Sequence, residues 1–286
     1  MIQRFSSPST GRVLEVASLR RPEFVLRVTT YCDVIVDERL LTKKFPFVPS
    51  SSRVVCLMML EGELCLFAKE HEVRAIPGDT LLLGIPFMHS TWWKNSTCLE
   101  LEWAPAGPSA VVPPCRLERV DLKRARALSA LIFDRTSDQR STLALAFDLF
   151  RSAGAPFEQT LESLSGEPSG QDRRLALALE EPLAQQSNDA TTHLGDTLGL
   201  SPRHLQRVIA EFHAHYHFNA GSWRDTRNRW RIQLAAVVLS RPGITVASVA
   251  KAVGFASSNA LARAFAQAGF PPPTEIRARV SEKDPL

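Results

Sequence analysis

Residues 189–212 read DATTHLGDTLGLSPRHLQRVIAEF, a spacing that predicts two short helices joined by a tight turn. Leu194, Leu198, Leu200, Leu205 and Val208 fall where two crossing helices would bury them, leaving Arg203, His204, Gln206 and Arg207 outward. Gly199 stands where the turn needs a positive φ, and Gly195 keeps the first helix small at the crossing. Ser201 followed by Pro202 reads as a helix start: the hydroxyl caps the first amides and the ring takes a position with no hydrogen bond to lose. A unit this small seldom folds alone.

Downstream, residues 245–255, TVASVAKAVGF, repeat the same logic with Ala250 at the crossing and Gly254 in the turn. Ser257 or Ser258 caps a following helix to about residue 268, with Leu261, Ala264 and Phe265 inward and Asn259, Ala262 and Arg263 outward. Between the two units a helix is expected over about 222–239, with Trp230, Ile232, Leu234, Ala235 and Val238 as apolar contacts and Arg224, Arg227, Arg229 and Arg231 in its first half. A helix of ~18 residues is ~27 Å long, which sets two outward helices about one DNA turn, ~34 Å, apart. His213, His215 and His217 are poorly grouped on a helix, because alternate residues lie ~200° apart, and a loop is expected there.

The charge distribution points to the same partner. The chain of 286 residues carries 34 Lys and Arg against 30 Asp and Glu. Residues 201–279 hold 11 basic and 3 acidic side chains, a net of +8, whereas residues 1–166 hold 20 and 19, a net of +1. The positive charge is a C-terminal property, and a polyanion complements it. With 44% hydrophobic and 22% charged residues, the balance is that of a soluble globular protein of about two domains. The opening MIQRFSSPST leads into no apolar segment, and the apolar runs at 81–88 and 234–239 are too short to span a bilayer. A cytoplasmic protein is expected, with no membrane partner.

Residues 1 to about 105 read as strands, with β-branched and apolar runs at 25–29, 34–36, 54–60, 64–68, 80–85 and 97–103. Glu61-Gly62 is expected to turn a hairpin that puts Cys56, Met58, Cys65 and Phe67 on one face, and Pro77-Gly78-Asp79 marks a second turn. EGELCL at 61–66 and IPGDTLLLGIPFMHS at 76–90 resemble the cupin-like barrels of many bacterial regulators. Metal-binding cupins use clustered His and Glu, but His71 and His89 are the only histidines before residue 193, so neither a metal nor a cofactor is expected. His89 with Trp92 and Trp93 is the candidate effector pocket. Cys32, Cys56, Cys65, Cys98 and Cys115 match no CxxC or zinc spacing and read as reduced, mostly buried thiols.

The proline-rich stretch 105–114 ends the strand region. Two amphipathic helices follow within about 115–165, one patterned by Leu117, Val120, Leu122, Leu128, Leu131 and Ile132, the other by Leu143, Leu145, Ala146, Leu149 and Phe150. Their apolar stripe must be covered by the barrel or by a second copy of the chain; the second option is preferred and makes a homodimer the expectation. SGEPSG at 165–170 is the clearest linker and divides domain 1–166 from domain 171–286. Asp172 then caps a helix through about residue 183.

Residues 171–279 resemble the AraC/XylS family of bacterial transcription regulators, carried by GLSPRHLQRVIAEF at 199–212, AVGFASSNALARAF at 252–265 and PPPTEIR at 271–277. The resemblance implies an α+β chain: an N-terminal cupin-like β-barrel with a helical pair, and a C-terminal all-α domain with helix-turn-helix units at 189–212 and 246–268 joined by a long helix. It implies a regulator of promoter DNA, an activator working with RNA polymerase and governed by a small-molecule or protein effector, rather than an enzyme. By position, Ser201, Arg203, His204, Gln206 and Arg207 would face the first groove segment, Ser258, Asn259, Ala262 and Arg263 the second, with Arg229 on phosphate. Arg and Gln forks suit guanine and adenine edges. Ala266, Gln267 and Ala268 replace residues that the family often has as basic, and Gly269-Phe270 inverts its usual order, so the first unit is expected to supply most of the affinity. The rival readings are a cupin metal enzyme with a basic DNA-binding appendage, a reactive-cysteine zinc alkyl transferase, and a thiol-based redox regulator. They require, respectively, a bound metal, clustered Cys ligands and reactive thiols.

Overall fold

The computed structural model of the chain describes residues 2–6, 13–32, 35–37, 54–68, 71–83, 90–104, 115–134, 136–157, 168–185, 190–216, 222–241 and 243–282. His89, the 105–114 connector, most of the 165–170 linker, Asp189 and His217 lie outside them. The chain divides into two compact units. One comprises Met1–Arg4, Val16–Thr30 and Pro49–Ser169; the other comprises Phe5–Glu15, Tyr31–Val48 and Gly170–Leu286.

The described strands are β1 (Ile2–Ser6), β2 (Leu14–Arg20), β3 (Phe24–Tyr31), β4 (Ile35–Asp37), β5 (Val54–Ala68), β6 (His71–Ala75), β7 (Thr80–Leu83), β8 (Ser90–Trp103) and β9 (Cys115–Arg116). The sheet order β1-β2-β3-β8-β5-β7-β9, with β6 beside β5, is antiparallel where β3, β5, β7, β8 and β9 pair. Alternation sorts the side chains. Phe24, Leu26, Val28, Cys56, Met58, Leu99, Leu101 and Trp103 belong to one buried cluster, completed by Leu128 and Ile132 of α1 (Leu122–Phe133) and Leu143, Phe147 and Phe150 of α2 (Gln139–Ser152). The Phe147 ring meets Phe24 edge-on at 5.2 Å. The helical stripe is thus covered by the chain's own sheet, which removes the reason for expecting a second copy to cover it.

Other expectations need correction. The Glu61-Gly62 pair turns no hairpin: β5 runs through it, and Gly62 (φ 73) and Asn95 of β8 (φ 40) absorb register shifts beside Glu61. A long partner strand lies on both sides of the irregularity, so a bulge satisfies the backbone where a turn would abandon it. Helix α1 begins only at Leu122, because Asp121 accepts from the amides of Lys123 and Arg124. Leu117 and Val120 precede it in an extended segment bonded to Thr80 and Gly78. Strands β1, β2 and β6 were outside the expected runs.

The opposite face of β3 and β8 carries polar residues that are buried, Arg27, Thr29, Glu100 and Glu102. Arg27 Nε donates to Glu100 Oε2 at 2.5 Å, with both side chains 10% exposed. Burial works against the Arg27 charge, but Glu100 and Glu102 outweigh it and hold the guanidinium protonated beyond its ordinary range. Burial pushes the Cys56 and Cys98 thiols up, so neither supplies the thiolate that a redox sensor needs at neutral pH.

The Pro77-Gly78-Asp79 turn is tied down by Asp79, whose carboxylate accepts from the Ile76 amide at 3.1 Å and Arg116 Nη1 at 2.7 Å and lies 3.4 Å from Arg119 Nε. Asp79 is buried while both arginines are more than half exposed, so the pairing is worth less than a fully buried one. Asp79→Asn is expected to cost about 1–2 kcal/mol, read as a thermal midpoint lower by a few degrees; an unchanged midpoint would mean that the turn holds without the charge.

In the second unit the helices are α3 (Gly170–Gln185), α4 (Ala190–Leu198), α5 (Pro202–His215), α6 (Trp223–Leu239), α7 (Val246–Ala252), α8 (Ser258–Ala268) and α9 (Pro273–Glu282). Asp172 is the third residue of α3 rather than its cap, and its carboxylate accepts from the Tyr216 hydroxyl at 3.1 Å. Helix α6 is the core of this unit: every residue from Trp230 to Leu239 is buried, and α5, α7, α8 and α9 pack against it. A helix apolar on every side is one surrounded by neighbours. Arg231 and Gln233 are the polar members of the run, and Gln233 is 2% exposed with neither amide atom hydrogen-bonded among the described residues. Gln233→Leu is expected to raise stability by about 1 kcal/mol, a midpoint higher by several degrees; a lower midpoint would reveal a partner for the amide.

Candidate nucleic-acid interface

Both helix-turn-helix units are built on one backbone device. In the first, the Gly199 amide donates to the Asp196 carbonyl at 3.2 Å and the Leu200 amide to Gly195 at 2.9 Å. In the second, the Gly254 amide donates to Lys251 at 3.1 Å and the Phe255 amide to Ala250 at 2.8 Å. Gly199 (φ 66) and Gly254 (φ 76) make the left-handed step that such a helix end demands. The bond to residue 195 also brings Leu200 down on the crossing: a Cβ at Gly195 would lie 3.1 Å from the Leu200 carbonyl oxygen. Residue size at position 195 is therefore set by the turn itself.

The turns deliver α5 and α8. Ser201 caps α5, accepting from the His204 amide at 3.4 Å. Leu205, Val208, Ile209 and Phe212 are buried, while Ser201, Arg203, His204, Gln206 and Arg207 are all exposed on the remaining face. Arg207 Nε lies 3.9 Å from Glu211 Oε1 with both side chains 69% exposed, a weak contact that leaves the guanidinium available. The helix continues past the expected loop to His215. His213 is buried with its Nε2 3.4 Å from the Thr226 hydroxyl, and His215 is exposed, so the two do not converge.

In the second unit Thr245 and Ser248 form a reciprocal capping box at the start of α7. Ser257, not Ser258, caps α8, accepting from the Ala260 amide at 3.1 Å. Ser258 is the first helical residue and half-buried; Asn259, Ala262 and Arg263 are exposed, and Leu261 and Phe265 are buried. The cap follows Gly254 by three residues where Ser201 follows Gly199 by two, so the second helix starts one residue later. The inverted Gly269-Phe270 order closes α8 by the same bond pattern, with Phe270 buried against Phe265 at 5.4 Å.

The arginines of α6 do not share one role. Arg224 is exposed, Arg227 and Arg229 are half-buried, and Arg231 is 4% exposed. Arg231 Nε donates to the Val253 carbonyl at 2.7 Å, its Nη2 donates to the Gly254 carbonyl, and the guanidinium carbon sits 4.1 Å from the Phe255 ring centroid. Burial, with a smaller push from Arg227, lowers its pKa to about 10, which leaves it charged at neutral pH. Sequence alone does not separate Arg231 from its neighbours, although its place at the head of the mostly apolar half of α6 is a signal of burial. Of the effector-pocket candidates, Trp92 and Trp93 lie in β8 opposite Cys65 and Leu64. Among the described residues no group of three or more His, Cys, Asp or Glu is arranged to hold a metal. None of the described helices is long and apolar enough to cross a membrane.

A family profile described as a helix-turn-helix domain matches residues 194–279. No curated protein matches the chain. Solved structures similar to it include ToxT from Vibrio cholerae, 10% identical over 89% of this chain and 98% of that one, with a TM-score of 0.34. Unsaturated fatty acid-bound ToxT from the same organism is 11% identical over 90% and 95%, with a TM-score of 0.34. The Cnp3 cupin domain of Schizosaccharomyces pombe is 15% identical over 32% and 64%, with a TM-score of 0.23. The matched span runs from within α4 into α9 and takes in both turns and the helix between them, and the C-terminal domain is a helix-turn-helix domain of the AraC type.

Proposed function

We infer that the chain is a cytoplasmic, sequence-specific transcription regulator that activates promoters by placing two helices of one protomer in successive major-groove segments. The observation that carries this reading is the repeated turn geometry on either side of one buried helix. Helix α6 has 17 residues and is therefore ~26 Å long, which with the packed units at its ends suits the ~34 Å repeat of the duplex. Arg203, Gln206 and Arg207 read bases or phosphates in the first segment; Asn259 and Arg263, with Ser258 beside them, make plainer contacts in the second. Ser201 and His204 border the first contact face, and Arg229 serves the phosphate backbone between the two.

The N-terminal domain receives the signal, a small molecule at His89, Trp92 and Trp93 or a protein, and passes it to the DNA-binding domain and RNA polymerase. Such control requires the signal to prefer one arrangement of the chain over another; tight binding alone shifts nothing. Homodimerisation is part of the proposal and would use a surface other than the covered stripe of α1 and α2. Mapping the genomic DNA bound in cells, with transcript levels measured beside each site, tests the reading. Transcripts that fall when the gene is deleted are expected. Transcripts that rise would make the protein a repressor, and absence of site-specific occupancy would overturn the assignment.

A further inference from the structure

Arg231 has no carboxylate among its described contacts, yet it is buried where the second helix-turn-helix unit bends. Its two donors take the carbonyls of Val253 and Gly254, the C-cap of α7 and the left-handed residue after it, and its guanidinium lies over the Phe255 ring. Helix ends carry unpaired carbonyls and partial negative charge, and a planar fork over an aromatic ring fixes direction as well as distance. In the first unit the corresponding turn shows a different close contact, the approach of the Leu200 carbonyl to Gly195. The second reader is thus tied by a side chain from the joining helix, in addition to the backbone turn that both units share.

We propose that Arg231 is a positioning residue for DNA recognition: it sets the angle at which α8 leaves the α7 turn, and so couples the second reader to α6 without touching DNA. This rests on the two-reader assignment above. Three local consequences follow from the contacts. Arg231→Met keeps the stem packing and removes both donors and the charge. Arg231→Lys keeps the charge but loses the fork and the stacking plane. Phe255→Leu removes the ring beneath the guanidinium and leaves the carbonyls in place.

The test uses the full chain and a ~40-bp duplex selected by it from a random library, footprinted with hydroxyl radicals. The wild type protects two patches about one helical turn apart. Arg231→Met is expected to lose protection at the second patch and keep the first, with affinity falling ~10-fold to that of the wild type on a duplex whose second segment is scrambled. Arg231→Lys and Phe255→Leu fall between. If both patches persist and the slope of log affinity against log salt drops by about 1, Arg231 is a phosphate contact and the proposal fails. If both patches weaken together with a lower thermal midpoint, the residue is merely structural and the proposal fails as well. A single protected patch in the wild type would overturn the two-reader assignment, and the proposal with it.

Discussion

Trp230→Ala is expected to cost the C-terminal domain about 3–5 kcal/mol, the range for emptying a buried aromatic site. Trp230 is 2% exposed and belongs to the buried run of α6, against which α5, α7, α8 and α9 pack. That loss is a large share of the 5–15 kcal/mol that a domain usually holds. The domain should melt tens of degrees earlier or fail to fold, and binding to all DNA should vanish with it. Circular dichroism of the purified variant reads this directly; a midpoint within a few degrees of the wild type would mean that α6 is not the structural centre of the unit.

Arg207→Ala should leave stability untouched and remove recognition. Its side chain is 69% exposed and its one close carboxylate, Glu211, is equally exposed, so little folding energy depends on it. If Arg207 reads a base edge, specific binding weakens by about 1–3 kcal/mol, ~5- to 150-fold, while binding to random duplex barely changes. Fluorescence anisotropy on a selected duplex and on a scrambled one separates the two terms. Equal losses on both would make Arg207 a phosphate contact, and specificity would then rest on Gln206 and Arg203.

Much of the C-terminal domain is legible because its decisive signals are local. Gly199, Gly254 and Ser201-Pro202 each encode a turn or a cap within a few residues, and the buried and exposed faces of α5 follow from helical spacing alone. Ambiguity entered where two neighbours carry the same chemistry, as at Ser257 and Ser258, where the start of α8 is decided by one extra residue after Gly254. The N-terminal domain is less legible because its pairing is non-local. Glu61-Gly62 looks like a hairpin turn until β8 is seen to pair on both sides of it. The Arg27 and Glu100 pair is invisible as a unit, since the two residues meet only when β3 and β8 align. The role of Arg231 was hidden for the same reason: its partners at Val253 and Gly254 lie more than twenty residues on.

A single change to the DNA puts the two-reader clamp to the most direct test. Five extra base pairs between the two contacted segments rotate the second by about half a turn and carry it to the opposite face of the duplex. Two readers held on one buried helix cannot follow that rotation. Affinity for the lengthened site is therefore expected to fall at least ~10-fold, to the level of a site with the second segment scrambled, and to recover in part when about ten base pairs are inserted through a dimer or not at all through a monomer. Affinity unchanged by the half-turn insertion would contradict the clamp and leave the first helix-turn-helix unit as the sole reader.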